Sequence, residues 1–154
     1  MIWREVGLMD KWQERFSQKV EVIRIASRDR FEQIAIENVL PVFEEFSEFI
    51  RTRGLKAMAP APTSGMRTFK FAITENAYVL MTFRLSGLES CEANAEFFVP
   101  NDKTTETLRD HAEFRDLNPK WTRQFFEKAL DQFVDAYLES LGSKRGGKRE
   151  LVTA

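Results

Sequence analysis

The period of the apolar positions changes twice along the chain, and each change marks a new kind of element. Between Asp10 and Ala26, Trp12, Phe16, Val20 and Ile23 lie within about 80° of one another on a helical projection. That narrow stripe predicts an amphipathic helix over residues 10–26, opened by Asp10 and Gln13 as a capping box. Val20, Val22, Ile23 and Ile25 are β-branched, which leaves a strand as the competing reading of this stretch. From Arg28 to Arg53 the apolar arc widens to about 120°, through Phe31, Ala35, Val39, Val42, Phe43, Phe46, Phe49 and Ile50. Ile34, Ile36 and Leu40 widen it further, while Glu37, Glu44, Glu48 and Arg51 hold the other side. An arc that wide predicts a helix over 28–53 buried on two sides, with Gly54 as its left-handed terminator.

One straight helix over 10–53 would measure roughly 66 Å, too long for a compact domain of this size. A coiled coil would justify that length, but heptads counted from Phe16 put Lys19 and Arg30 in the seam. A break near Ser27 and a kink at Pro41 are therefore expected.

Residues 55–66, with Pro60, Pro62, Ser64 and Gly65, read as a loop. The period then drops to two. Alternation predicts an antiparallel meander of three strands over 67–74, 78–85 and 91–99. Pairing Thr74 with Tyr78 sets Phe71 against Met81 and Phe69 against Phe83. Pairing Leu85 with Cys91 sets Phe83 over Ala93, Met81 over Ala95 and Val79 over Phe97. Residues 101–117 read as an edge strand near Thr104–Leu108 or as loop throughout. Asn118-Pro119 is a helix start, and Phe126, Leu130, Phe133, Tyr137 and Leu141 form the stripe of a helix over 119–141 that packs on one sheet face. Phe125, Val134 and Leu138 widen that stripe, and Gly142 ends it. The fold class is α+β.

Composition adds a burden and a boundary. The 154 residues include 14 Phe against 2 Tyr and 3 Trp, a large apolar load without polar handles. Residues 1–142 carry 19 basic and 23 acidic side chains, and the last twelve carry four and one. The expected organisation is one domain over 1–142 and a disordered basic tail over 143–154. A charge-balanced body argues against a nucleic-acid surface, which leaves the tail as the sole place for weak binding of that kind. The longest apolar run is Ala77–Met81, far short of the roughly 20 residues of a membrane span. Arg4, Glu5, Asp10 and Lys11 leave no apolar region for a signal peptide. A lone Cys gives no internal disulfide, so a cytoplasmic protein is expected.

Candidate chemistry is sparse. Gly142-Ser-Lys-Arg-Gly-Gly147-Lys148 imitates a phosphate-binding loop, but Arg149 stands where Ser or Thr must reach magnesium, and the run follows a helix. Asp110, His111, Glu113 and Asp116 hold metal-ligand or proton-transfer groups; lacking a second His or a Cys pair, they read as a solvated loop. Cys91 lies on the core face and reads as a small buried hydrophobe. Glu127, Asp131, Asp135 and Glu139 form an acidic ridge, read as the wet face of the last helix, onto which the basic tail has a weak, salt-screened attraction. The outward sheet face mixes Lys70, Arg84, Glu92 and Glu96 with Tyr78, Leu80 and Phe98, a set that either pairs across strands or receives a partner.

The expected function is a non-catalytic interaction or regulatory module, homodimeric or bound to another protein through helix 28–53 or the sheet. Its candidate contact residues are Phe43, Phe46, Ile50, Tyr78, Leu80 and Phe98. The competing expectation is a small-molecule binder or enzyme with a pocket over Cys91, Ala93 and Ala95. No cofactor or metal is called for.

Overall fold

A computed structural model describes residues 2–100 and 107–145, with side chains described over 10–100 and 107–142. Helix α1 (Ile2–Ile34) passes through a π turn (Ala35–Val39) directly into α2 (Leu40–Thr52). Strands β1 (Lys56–Met58), β2 (Met66–Thr74), β3 (Ala77–Ser86), β4 (Ser90–Phe98) and β5 (Thr107–Glu113) follow. A short 3-10 turn (Phe114–Asp116) then leads into α3 (Pro119–Arg145). The strands form one antiparallel meander in the order β1-β2-β3-β4-β5. The fold is thus α+β with helical segments at both ends of an antiparallel sheet.

The expected break at Ser27 does not occur. Ser27 is buried in the middle of α1, so neither it nor Asp10 opens a helix. The irregularity falls instead at residues 35–39, immediately before Pro41. An α-helical Pro41 would leave the Glu37 carbonyl without its donor and push the ring against it. Widening the turn, with the Leu40 N–H bonded to the Ala35 carbonyl, changes the ladder register just before the proline. Helix α2 ends as expected, with Gly54 at φ +84° and its N–H donated to the Arg51 carbonyl at 3.1 Å.

The sheet has two strands beyond the expected three, one at each edge. β1 has three residues, too few to show a period. β5 is an edge strand of which only Ala112 is buried, so its pattern does not alternate. The β3–β4 register agrees with the expectation, with Leu85 opposite Cys91, Phe83 opposite Ala93, Met81 opposite Ala95 and Val79 opposite Phe97. The β2–β3 register does not. Phe71 faces Val79 and Phe69 faces Met81, yet Thr74 pairs with Ala77. A bulge at Ile73 absorbs the one residue that otherwise sets these pairings against each other. The hairpin loop shortens to Glu75-Asn76.

The inner sheet face carries Phe69, Phe71, Val79, Met81, Phe83, Cys91, Ala93, Ala95 and Phe97, all buried. The end of α1, the π turn and α2 cover this face with Phe31, Ala35, Val39, Val42 and Phe43; α3 adds Phe125, Phe126, Ala129, Leu130 and Phe133. The wide arc of helix 28–53 is accounted for here. Phe43 lies 4.6 Å from Phe69, and Phe46 lies 5.4 Å from Phe126, so α2 is enclosed by the sheet and by α3. Helix α3 starts where expected. Asn118 Oδ1 accepts the Trp121 N–H at 2.8 Å, and Pro119 takes the first helical position, where no donor is required. It runs beyond Gly142 to Arg145.

Candidate functional site

Where α1 leaves the sheet determines what this molecule exposes. The helix is moored through residues 27–34. Phe31 is buried 6.5 Å from Phe114, and both Arg67 Nε and Nη2 donate to Glu32 Oε2. Arg30 pairs with Glu89 at 3.2 Å, and Arg28 bridges Glu21 and Ser64. Toward the N-terminus the sheet ends and the helix continues. From Asp10 to Ala26 every side chain is exposed except Val20, which is half-buried. Trp12 is 49% exposed, Phe16 52% and Ile23 48%. These 17 residues form an arm about 25 Å long.

The arm is apolar on one side, and that side is the continuation of the core-facing one. On a helical projection Trp12, Phe16, Val20 and Ile23 share an arc of about 100° with buried Ser27 and Phe31 and part-buried Ile34. The face that the sheet covers below Ser27 is thus left uncovered above it. Trp12 and Phe16 stack at 5.0 Å, the i, i+4 neighbour contact of a helix surface. Two large aromatic side chains thus stand in contiguous exposure on one helix face.

The residues expected to receive a partner lie elsewhere. Phe43 is buried between Phe69 and Phe71 and is unavailable, because its own sheet occupies that side. Phe46 packs edge-on against Phe126, and Ile50 sits half-buried at the core's margin. Tyr78, Leu80 and Phe98 do share the outward sheet face. There Tyr78 stacks on Phe98 at 4.7 Å, and Lys70 Nζ lies 4.3 Å above the Tyr78 ring, so these groups already contact one another. The arm stripe was visible in the sequence as a helix face. The missing signal was that nothing among the described residues covers it.

That outward face also holds an open cleft of about 660 Å³. Its floor is two cross-strand rows, Arg84–Glu92–His111 and Thr82–Asn94–Arg109. The Arg84 guanidinium donates to Glu92 Oε2 at 2.7 Å and holds that carboxyl below its ordinary range. His111 is on a strand rather than in a solvated loop. The four candidate ligands, His111 among them, diverge: Asp110 and His111 point to opposite faces of β5, and Glu113 is taken by Arg115 at 2.9 Å. The Asp110 carboxylate accepts the His111 backbone N–H, not an imidazole proton. Among the described residues no three His, Cys, Asp or Glu side chains converge on a metal position.

Cys91, Ala93 and Ala95 are buried beneath the helical layer, so the space expected over them is filled by this chain. Burial pushes the Cys91 thiol up to about 12, which suppresses the thiolate that nucleophilic chemistry requires. Native protein is therefore expected to leave Cys91 unmodified by a chromogenic disulfide reagent near pH 8, and denaturant to release one reactive thiol per chain. Rapid labelling of the native protein would contradict the observed packing.

Glu127, Asp131 and Asp135 are exposed along α3, as is Glu139. The glycine-rich imitation of a phosphate loop begins inside α3 at Gly142, and its later residues, with the basic tail from 146 onward, lie outside the described residues. Among the described residues no helix is long and apolar enough to cross a membrane. Comparison with protein-family models, curated proteins and solved structures finds no match to this chain.

Proposed function

We propose that the protein is a non-catalytic interaction module whose docking element is the arm of α1, residues 10–26. One observation carries this reading: the core-facing side of α1 continues past the sheet as Trp12, Phe16, Val20 and Ile23, with no covering layer among the described residues. Exposing two aromatic rings and an isoleucine along one stripe is unfavourable by roughly 25 cal/mol per Å² of apolar area, and a partner surface removes that cost. The dispersed polar groups around His111 and the buried thiol of Cys91 lend support to the non-catalytic part.

Photo-crosslinking in the native host tests it. A photoreactive phenylalanine analogue at position 16 or 23 is expected to give discrete adducts, and the same group at position 14 or 18, on the far side of the helix, none. Equal labelling from both sides, or none from position 16, overturns the reading. An adduct at twice the chain mass identifies a second copy; any other discrete mass identifies a different partner.

A further inference from the structure

We infer that the cleft on the outward sheet face is a binding site for a free α-amino acid, its carboxylate held by Arg109 and its ammonium by Glu96. The site is separate from the arm of α1, and neither reading depends on the other.

The charges lining the cleft are not all satisfied among the described residues. Arg84 donates to Glu92 at 2.7 Å, which closes one ion pair between β3 and β4. Arg109 and Glu96 also line the cleft and carry opposite charges, yet neither forms an ion pair with a described residue. The register places them. Arg109 stands opposite Asn94, on a diagonal to Glu92 on one side and to Glu96 on the other. Glu92 is taken by Arg84. Glu96 faces Leu80 on β3 and Thr107 on β5, neither of which carries a charge.

Diagonal neighbours on adjacent strands stand roughly 7–8 Å apart. That gap suits a molecule with an anion and a cation on one carbon. Two charge-assisted hydrogen bonds of about 2.8 Å, one at each end of an α-amino acid, span it. Arg109 supplies the planar fork that fits a carboxylate, and Glu96 supplies acceptors for the three ammonium N–H donors.

The floor between them is incomplete in the same way. Asn94 precedes Glu96 on the same face of β4, with Thr82 opposite it on β3. Its Oδ1 is out of solvent and accepts no hydrogen bond from a described residue, an unfavourable state for an enclosed acceptor. Turning the amide about its last side-chain bond brings that oxygen toward an ammonium, or the N–H groups toward a carboxylate. Thr82 adds a hydroxyl that can donate or accept.

Size and charge select among ligand classes. The cleft of about 660 Å³ is within the range of small-molecule sites. A phosphate or other dianion meets repulsion from both Glu92 and Glu96. A simple carboxylate leaves Glu96 without a partner, and a simple amine leaves Arg109 without one. A peptide N-terminus brings the ammonium, but its carboxyl has become an amide. Both residues are satisfied together when the two charged groups stand on one carbon.

Heteronuclear NMR of the isotope-labelled, full-length protein tests this with the common free amino acids as probes, each at about 10 mM. At least one is expected to shift the backbone amides of Asn94, Glu96, Arg109 and His111, with a dissociation constant on the order of 1 mM. The N-acetyl and carboxamide derivatives of that amino acid are each expected to bind about tenfold more weakly or worse, a comparison made on unaltered protein. Arg109→Met and Glu96→Gln are expected to show the same loss. Lys70→Met, on the same sheet face but outside the cleft, is expected to bind as the wild type does. Absence of shifts at these residues with every amino acid overturns the site, as does a response confined to residues outside the cleft. An N-acetyl derivative or inorganic phosphate that binds as tightly as the amino acid overturns the ligand class. Full binding by Arg109→Met or Glu96→Gln overturns the roles given to those residues.

Discussion

Phe126→Ala is expected to cost about 3–5 kcal/mol and to lower the thermal midpoint by roughly 6–20 °C. Phe126 is fully buried and is where the layers of the fold meet. From α3 its ring lies 5.4 Å from Phe46 of α2, 5.8 Å from Phe69 and 6.0 Å from Phe71 of β2, and 5.8 Å from Phe83 of β3. Truncation removes apolar area from water-free surroundings and opens a cavity whose walls belong to three different elements, α2, β2 and β3. Such walls cannot all move inward together, so the upper part of the range is expected. Domains of this size are stable by about 5–15 kcal/mol, which makes the loss a large fraction of the whole. Leu138→Ala, on the same helix but 41% exposed, serves as the control and is expected to stay within about 0.5 kcal/mol. Chemical denaturation of both variants decides; a loss under about 1 kcal/mol for Phe126→Ala contradicts the packing described.

Ser27→Pro is the second large effect. In a continuous α1, proline at 27 removes the bond to the Ile23 carbonyl and forces its ring against that oxygen, costing about 3 kcal/mol or more. It also redirects the arm, so side-selective crosslinking from position 16 should fall together with stability. Ser27→Ala leaves the helix intact, and alanine is the stronger helix former, so that variant should stay within about 1 kcal/mol of the wild type. A chain broken at Ser27, with the serine as cap, predicts the reverse: proline tolerated and alanine costing about 1 kcal/mol. Denaturant midpoints and far-ultraviolet circular dichroism of the two variants separate the cases.

Much of the fold was legible in the residue pattern because local chemistry and tertiary context agreed there. The β3–β4 register rests on large side chains facing small ones, and Asn118-Pro119 is a cap that functions the same way in any surroundings. The β2–β3 register was misread because a bulge at Ile73 leaves no mark on the alternation. Edge strand β1 was missed, and β5 was legible only as one of two readings of 101–117, for a related reason. β5 is open on both faces for most of its length, so selection for burial left it no period, and His111 passed for a loop residue. Phe43 and Tyr78 both looked like contact residues, yet one is enclosed by its own sheet and the other is stacked on Phe98.

The sequence by itself determined which residues prefer to be dry: the inner sheet face, the stripe of α3, and one long face of the N-terminal helix. It determined where α2 ends, at Gly54, and where α3 begins. Only the tertiary structure decided which part of that long helical face the chain covers for itself. Phe16, Val20 and Ile23 repeat with the same spacing and on the same side as Phe31 and Ile34. A helical period records which side is apolar and carries no information about what lies opposite. The sheet ends beside Ser27, so the same pattern becomes core on one side of that residue and exposed surface on the other.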